Sequence, residues 1–190
     1  MSCIQDQVSR IQYLSKKQMH IILDHTAFLS KIRELAQQIA SKYPQRDDVV
    51  FIGIQQGGVA LADDIVACLQ QTDPSQQIQY GQLDITFYRD DIRKEILAPD
   101  TMNLPFAIEN KIVVLIDDVL FTGRTIKAAL DVLLDYGRPA KVELCVLIDR
   151  KEHRQFPIQA DYVGMTLSTD KADKVKLVPD DSGNKHVILK

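Results

Sequence analysis

Tryptophan is absent, and cysteine occurs only three times, at Cys3, Cys68 and Cys145. That odd, scattered set argues against a disulfide framework and has no zinc spacing. Cys68 and Cys145 stand in apolar segments and are expected in the core. No apolar run approaches the ~18 residues of a membrane-spanning helix. Residues 1–18 mix Asp6, Arg10, Lys16 and Lys17 with polar side chains and lack an apolar signal core, so the cytoplasm is the expected compartment and no membrane partner is expected. Charge of one sign is also missing: 23 basic residues face 26 acidic ones, a net charge of -3. Binding to polyanions by bulk charge is thereby excluded, and only a local basic patch is left open. Repeats, low-complexity tracts and Pro/Ser-rich linkers are lacking too. What is present suffices for one globular domain: 190 residues, 45% of them hydrophobic, enough to bury a core without disulfides or metals.

Periodicity predicts alternating helices and strands. Over 26–42, Leu29, Ile32, Leu35, Ala36, Ile39 and Ala40 fall on one helical face, with Asp24 as N-cap and Pro44 as stop. Residues 48–54 (DVVFIGI) form a nearly continuous apolar run, the pattern of a strand buried on both faces. A helix follows over 59–70, and an alternating strand over 78–88. Residues 89–110 are charged, contain Pro99 and Pro105, and read as a long loop with a hairpin. Further buried strands are predicted at 112–117 and 142–148, a short one at 160–165, and between them a helix over 124–136 that Gly137 ends as a C-terminal glycine. This order implies an α/β fold with a mainly parallel sheet flanked by helices. In such sheets ligands bind at the C-terminal ends of the strands, here Gln55–Gly58, 117–125 and 149 onward.

One segment concentrates chemistry. Residues 112–125, IVVLIDDVLFTGRT, run from a buried strand into two carboxylates, Asp117 and Asp118, and then into a helix start. A helix start offers unpaired N–H groups and a positive dipole end, which suit phosphate. Gly123 allows close backbone approach, Thr122 and Thr125 add hydroxyls, and Arg124 adds charge. The Asp pair can accept from ribose hydroxyls or hold hydrated Mg²⁺. Two adjacent like charges after a buried strand are costly unless something cationic offsets them. The segment is neither a Walker loop nor a dinucleotide GxGxxG turn.

Here the chain resembles the type I phosphoribosyltransferase family, whose signature is this strand, acidic pair and TGxT loop. Residues 81–91 (GQLDITFYRDD) and 112–164, with DDVLFTGRT, YGRPA and HRxxPIxADYVG, resemble the PyrR family of pyrimidine-operon attenuation regulators with uracil phosphoribosyltransferase activity. The resemblance implies a phosphoribosyltransferase domain over 20–178 with a flexible hood loop, between an N-terminal extension, 1–19, and a C-terminal tail, 179–190. It implies transfer of phosphoribose from phosphoribosyl pyrophosphate (PRPP) to uracil with Mg²⁺, giving UMP and pyrophosphate, in a homo-oligomer, a dimer or tetramer, with UMP-dependent binding of a pyr-leader RNA as a further role.

By match to the motif, Asp117 and Asp118 would face the ribose hydroxyls and the metal, and Thr122–Thr125 would hold the 5′-phosphate. Gln55, Gln56, Gly57 and Gly58 would form the pyrophosphate loop, with a cis peptide expected between Gln56 and Gly57. Tyr88–Asp91, including Arg89, would begin the hood loop, and Arg150 and the Asp161–Met165 segment, with Val163, would lie near the base.

The chain departs from that pattern in several places. The pyrophosphate loop lacks the family's arginine, and its Gly57-Gly58 pair is more like that of hypoxanthine-guanine phosphoribosyltransferases, the alternative reading. Those enzymes carry a lysine near Arg150, and Arg is not equivalent to Lys. RNA-binding relatives carry Thr and His where Arg33 and Gln37 align, and basic residues where Gln159 and Met165 stand, whereas His153 and Arg154 are kept. Met165 also fits core packing. Arg33 and Arg154, with His153, are therefore the expected RNA contacts.

Overall fold

The computed structural model describes residues 20–85 and 102–190. Its main sheet has six strands in the order β4-β3-β2-β5-β6-β7. These are β2 (Val49–Ile54), β3 (Gln79–Leu83), β4 (Met102–Asn103), β5 (Ile112–Leu120), β6 (Lys141–Asp149) and β7 (Tyr162–Thr166). Strands β3, β2, β5, β6 and β7 run parallel, and β4 pairs antiparallel on the β3 edge. Helices α1 (His25–Lys42), α2 (Gly57–Thr72) and α3 (Arg124–Tyr136) connect and cover them. This is the expected α/β fold with a mainly parallel sheet.

The apolar runs are continuous because both sheet faces are buried and successive side chains alternate between them. Val49, Phe51, Val114, Ile116, Cys145 and Leu147 join α1 and α2 in one cluster. Val50, Ile52, Ile54, Val113, Leu115, Leu144 and Val146 join α3 in the other. Asp24 caps α1 as expected: its Oδ1 accepts from the Ala27 amide at 2.8 Å. Cys145 is buried, and half-buried Cys68 and Met165 pack against the first cluster.

Several boundaries differ from expectation. Helix α2 begins two residues earlier, at Gly57, and the cis peptide lies one bond earlier, at Gln55–Gln56 rather than Gln56–Gly57. Gln56 is already the N-cap of α2 with helical φ and ψ, so the irregular bond falls between strand and cap. Gly137 caps α3 with an extended φ of 178°, not a left-handed one. Space explains the glycine, because an added Cβ would lie 2.8 Å from Ile108 Cγ1. Strand β5 continues past Asp117 to Leu120. Residues 86–101, with Tyr88, Arg89 and most of the expected hood loop and hairpin, lie outside the described residues, as does the N-terminal extension, 1–19.

The largest difference is at the C-terminus. Residues 179–190, expected as a tail, supply strand β9 (Lys185–Leu189), which pairs antiparallel with both β1 (His20–Leu23) and β8 (Val175–Pro179). Val187 is fully buried in the α1–α2 cluster. Lys185 Nζ donates to Asp64 Oδ2 at 2.6 Å and to the Ala60 carbonyl at 2.8 Å, tying this small sheet to α2.

Candidate active site

A cleft of about 400 Å³ opens at the C-terminal ends of β5 and β6. Asp117, Thr122, Gly123, Arg124, Thr125 and Arg150 line it, as do Phe121 and residues 173–176 of the segment entering β8. Strand β5 delivers the acidic pair: alternation starts the two side chains on opposite faces of the sheet, while their carboxyls stay within hydrogen-bonding reach of each other. Asp117 follows Val113 and Leu115 toward the α3 face and is 7% exposed. Asp118 follows Val114 and Ile116 toward the α2 face. There an added Cβ on Gly57 would overlap its carboxylate, and one on Gly58 would overlap the Ile116 carbonyl. The two glycines therefore let the start of α2 close onto the end of β5, bringing 55–58 beside the acidic pair.

Burial pushes the Asp118 carboxyl above its usual range, and backbone N–H donors from Leu177 and Val119 only partly offset this. Asp117 Oδ1 accepts from the Asp118 amide at 3.0 Å. A buried carboxylate beside a second acid is stabilised by an added cation. Among the described residues no group of three His, Cys, Asp or Glu could hold a metal alone. Two carboxylates completed by water and substrate oxygens are the donor set that Mg²⁺ accepts.

Gly123, at the N-cap of α3, has φ 88°, a conformation that only glycine adopts without strain. Gly123 has no side chain to cap α3; the Thr122 hydroxyl accepts from the Arg124 amide at 3.4 Å, and the first helical hydrogen bond runs from the Lys127 amide to the Gly123 carbonyl at 2.9 Å. The loop is braced from behind. The Gln155 amide donates to the Thr122 carbonyl at 2.9 Å, Arg154 donates to the Phe121 carbonyl, and Arg124 Nε donates to Gln155 Oε1 at 3.0 Å. With its carbonyls engaged there, the turn presents its helix start to the cleft, a geometry suited to an anion. Arg124, Arg150, Lys174 and Lys176 against Asp117 and Asp173 give the lining a basic surplus.

Other expected residues fall elsewhere. Gln55 and Gln56 are exposed at the end of β2, next to the acidic pair through Gly57 and Gly58 but not on the cleft lining. Val163 is half-buried in β7 and packs into the α3-side cluster, away from the cleft. Arg150 lines the cleft, but its Nε donates to Thr169 Oγ1 at 2.7 Å, Nη2 to the Asp170 carbonyl at 2.8 Å and Nη1 to the Asp173 carbonyl at 3.1 Å. Arg154, expected at an RNA, is ion-paired with buried Asp149. His153 Nε2 lies 2.7 Å from the Thr169 carbonyl. Residues 149–154 fold back over the β5–α3 turn, which turns these side chains inward. Phe121 and 173–176 were missed. Phe121 stood inside the motif without an assigned task, and 173–176 carry no motif of their own.

The phosphoribosyl transferase domain model matches residues 18–182. A Bifunctional protein PyrR of Desulfosudis oleivorans is 41% identical over 170 residues, covering 88% of this chain and 93% of that protein. One from Geobacter sulfurreducens is 42% identical over 162 residues, covering 84% and 90%. Among solved structures, a hypoxanthine phosphoribosyltransferase of Staphylococcus aureus superposes with a TM-score of 0.63 at 22% identity, covering 84% of this chain and 82% of that one, which shows the shared fold. With Asp117, the glycine turn and the helix start gathered at one cleft and Asp118 next to it in the strand, the chain belongs to the phosphoribosyltransferase family and, within it, to the PyrR proteins.

Proposed function

We propose that the protein transfers the phosphoribosyl group of PRPP to uracil, giving UMP and pyrophosphate, as a cytoplasmic homo-oligomer, a dimer or tetramer. The observation that carries this reading is the single cleft joining Asp117 to the start of α3 and, across it, to Arg150 and 173–176. The amides and hydroxyls of Thr122–Thr125 hold the 5′-phosphate. Asp117 accepts from a ribose hydroxyl, which fixes the sugar for attack at its anomeric carbon. The 55–58 turn lacks an arginine, so pyrophosphate meets backbone amides there. Asp117 and Asp118 are the residues that would hold Mg²⁺, whose charge offsets that of the departing pyrophosphate. UMP formation from labelled uracil and PRPP is the direct assay. Chelation by EDTA is expected to abolish it and added Mg²⁺ to restore it; full activity in EDTA would exclude the metal's part.

The relatives are named bifunctional, and we propose RNA-dependent regulation of pyrimidine genes as a second, weaker role. Arg154 and His153 are engaged within the fold, and Gln37, Gln159 and Met165 replace residues used by RNA-binding members. Three lost contacts at ~1 kcal/mol each weaken binding by a factor on the order of 100. A gel shift with pyr-leader RNA is therefore expected to show weak binding with little sequence preference. Tight UMP-dependent binding at physiological salt, abolished by Arg154→Ala, would contradict this.

A further inference from the structure

We propose that Arg150 positions the base through the 169–173 segment and Phe121, rather than by contacting the base itself. This rests on the reading of the cleft as a uracil phosphoribosyltransferase site. Arg150 follows directly on β6, and its amide donates to the Leu120 carbonyl at 2.9 Å, which anchors it to the end of β5. The residue is 3% exposed although its side chain is charged. Its guanidinium lies 4.0 Å from the centre of the Phe121 ring, so one face is covered by an aromatic wall of the cleft. Three donors, on Nε, Nη1 and Nη2, reach Thr169 Oγ1 and the carbonyls of Asp173 and Asp170.

All three acceptors belong to one short segment, and that segment leads into Asp173, Lys174, Val175 and Lys176 on the cleft lining. The segment is also closed on itself, since the Asp170 amide donates to Asp173 Oδ2 at 2.9 Å. His153 completes the brace. Its Nε2 lies 2.7 Å from the Thr169 carbonyl, and its ring meets the edge of Phe121 with centroids 5.2 Å apart. Arg150 thus joins the two sides of the cleft, Phe121 after β5 and residues 173–176 at the start of β8. A planar fork can serve three fixed acceptors at once while stacking on a ring, and a lysine ammonium cannot do both. Its consequence for chemistry is selective: the brace sets the wall beyond the ribose, while the phosphate turn and the acidic pair are held by other contacts.

The test compares wild type with Arg150→Lys and Arg150→Met in the full chain. Hydrogen exchange in the free protein is expected to quicken at least tenfold for amides 169–176, with amides of 113–117 unchanged. In steady state, KM for uracil should rise at least tenfold, with kcat within threefold and KM for PRPP within twofold. Thr169→Val combined with Arg150→Lys should cost less than the sum of the two single changes, as expected for side chains acting through one contact. Unchanged exchange at 169–176, an equal rise in both KM values, a fall in kcat alone, or full additivity would each overturn the proposal. A wild-type protein inactive on uracil would overturn the reading of the site, and the exchange result would still decide whether Arg150 holds the segment.

Discussion

Asp117→Asn is expected to lower kcat for UMP formation by about a hundredfold or more while shifting Tm by no more than about 2 °C. The magnitude is that of removing one electrostatic contact made to the reacting groups, ~3–4 kcal/mol. Asp117 lines the cleft beside the start of α3, where ribose and phosphate must meet. Asparagine keeps the shape and a carbonyl to accept the Asp118 amide, so the fold is retained. Asp118→Asn should likewise lose most activity. Its carboxyl is already pushed up by burial, so removing the charge relieves the apo fold rather than damaging it. Wild-type turnover in either variant, measured with PRPP and Mg²⁺ saturating, would remove the acidic pair from the site.

The second large effect is on stability, at the opposite end of the sheet. Glu143 sits in β6 with a fully buried side chain. Its carboxylate accepts from Lys42 at 2.7 Å, Tyr43 at 2.8 Å and Tyr162 at 2.5 Å, and pairs with Lys141 at 2.5 Å. This cluster ties the end of α1 to β6 and β7. Burial alone would raise the carboxyl, but the donors from Lys141, Lys42, Tyr162 and Tyr43 outweigh it and hold it at about 2, below its ordinary 4.5. Burial, and then Glu143, push the Tyr43 hydroxyl up to about 12. Glu143→Ala removes the carboxylate acceptor of both tyrosine hydroxyls, while the half-exposed lysines can turn to water. The expected loss is therefore ~2–4 kcal/mol, somewhat under the usual cost of breaking a buried pair. Tm should fall by roughly 4–16 °C for a domain of this size.

The pH dependence has a definite sign. A carboxylate whose folded value is depressed contributes stability above its unfolded value, and that contribution is lost as pH falls through the folded one. Wild type should therefore lose stability between about pH 4.5 and about pH 2. Glu143→Gln should be less stable at neutral pH but show a flatter slope across that window. Equal slopes in chemical denaturation series for the two proteins would assign the acid sensitivity to other groups.

The sheet and its motif were readable because they rest on local signals. Buried apolar runs marked β2, β5 and β6, and the DD–TGxT pattern marked the turn into α3 at its observed limits. Other features depend on distant partners. Strands β1, β8 and β9 are four or five residues long and mix apolar residues with lysine or histidine, and their buried side chains, Leu23, Val175 and Val187, join a cluster built by distant elements, so residues 179–190 carried no periodic signal. Glu143 interrupts an apolar run with a charge whose four partners lie at the end of α1, on β7 and on its own strand. Sequence placed Arg150 at the right end of the sheet, but not the direction of its side chain, which is set by carbonyls some 20 residues further on. Val163 is off the cleft lining because strand alternation aims its side chain into the α3-side cluster.

Base choice is the most direct test of the proposed reaction, because the fold is shared with hypoxanthine enzymes and the glycine pair at 57–58 resembles theirs. The measurement is a competition in which uracil, hypoxanthine and guanine at equal concentration are offered with PRPP and Mg²⁺, and the nucleotides formed are separated and quantified. UMP as the dominant product, with IMP and GMP at background, is the expected result. IMP or GMP in excess of UMP would contradict the assignment and make the protein a purine phosphoribosyltransferase.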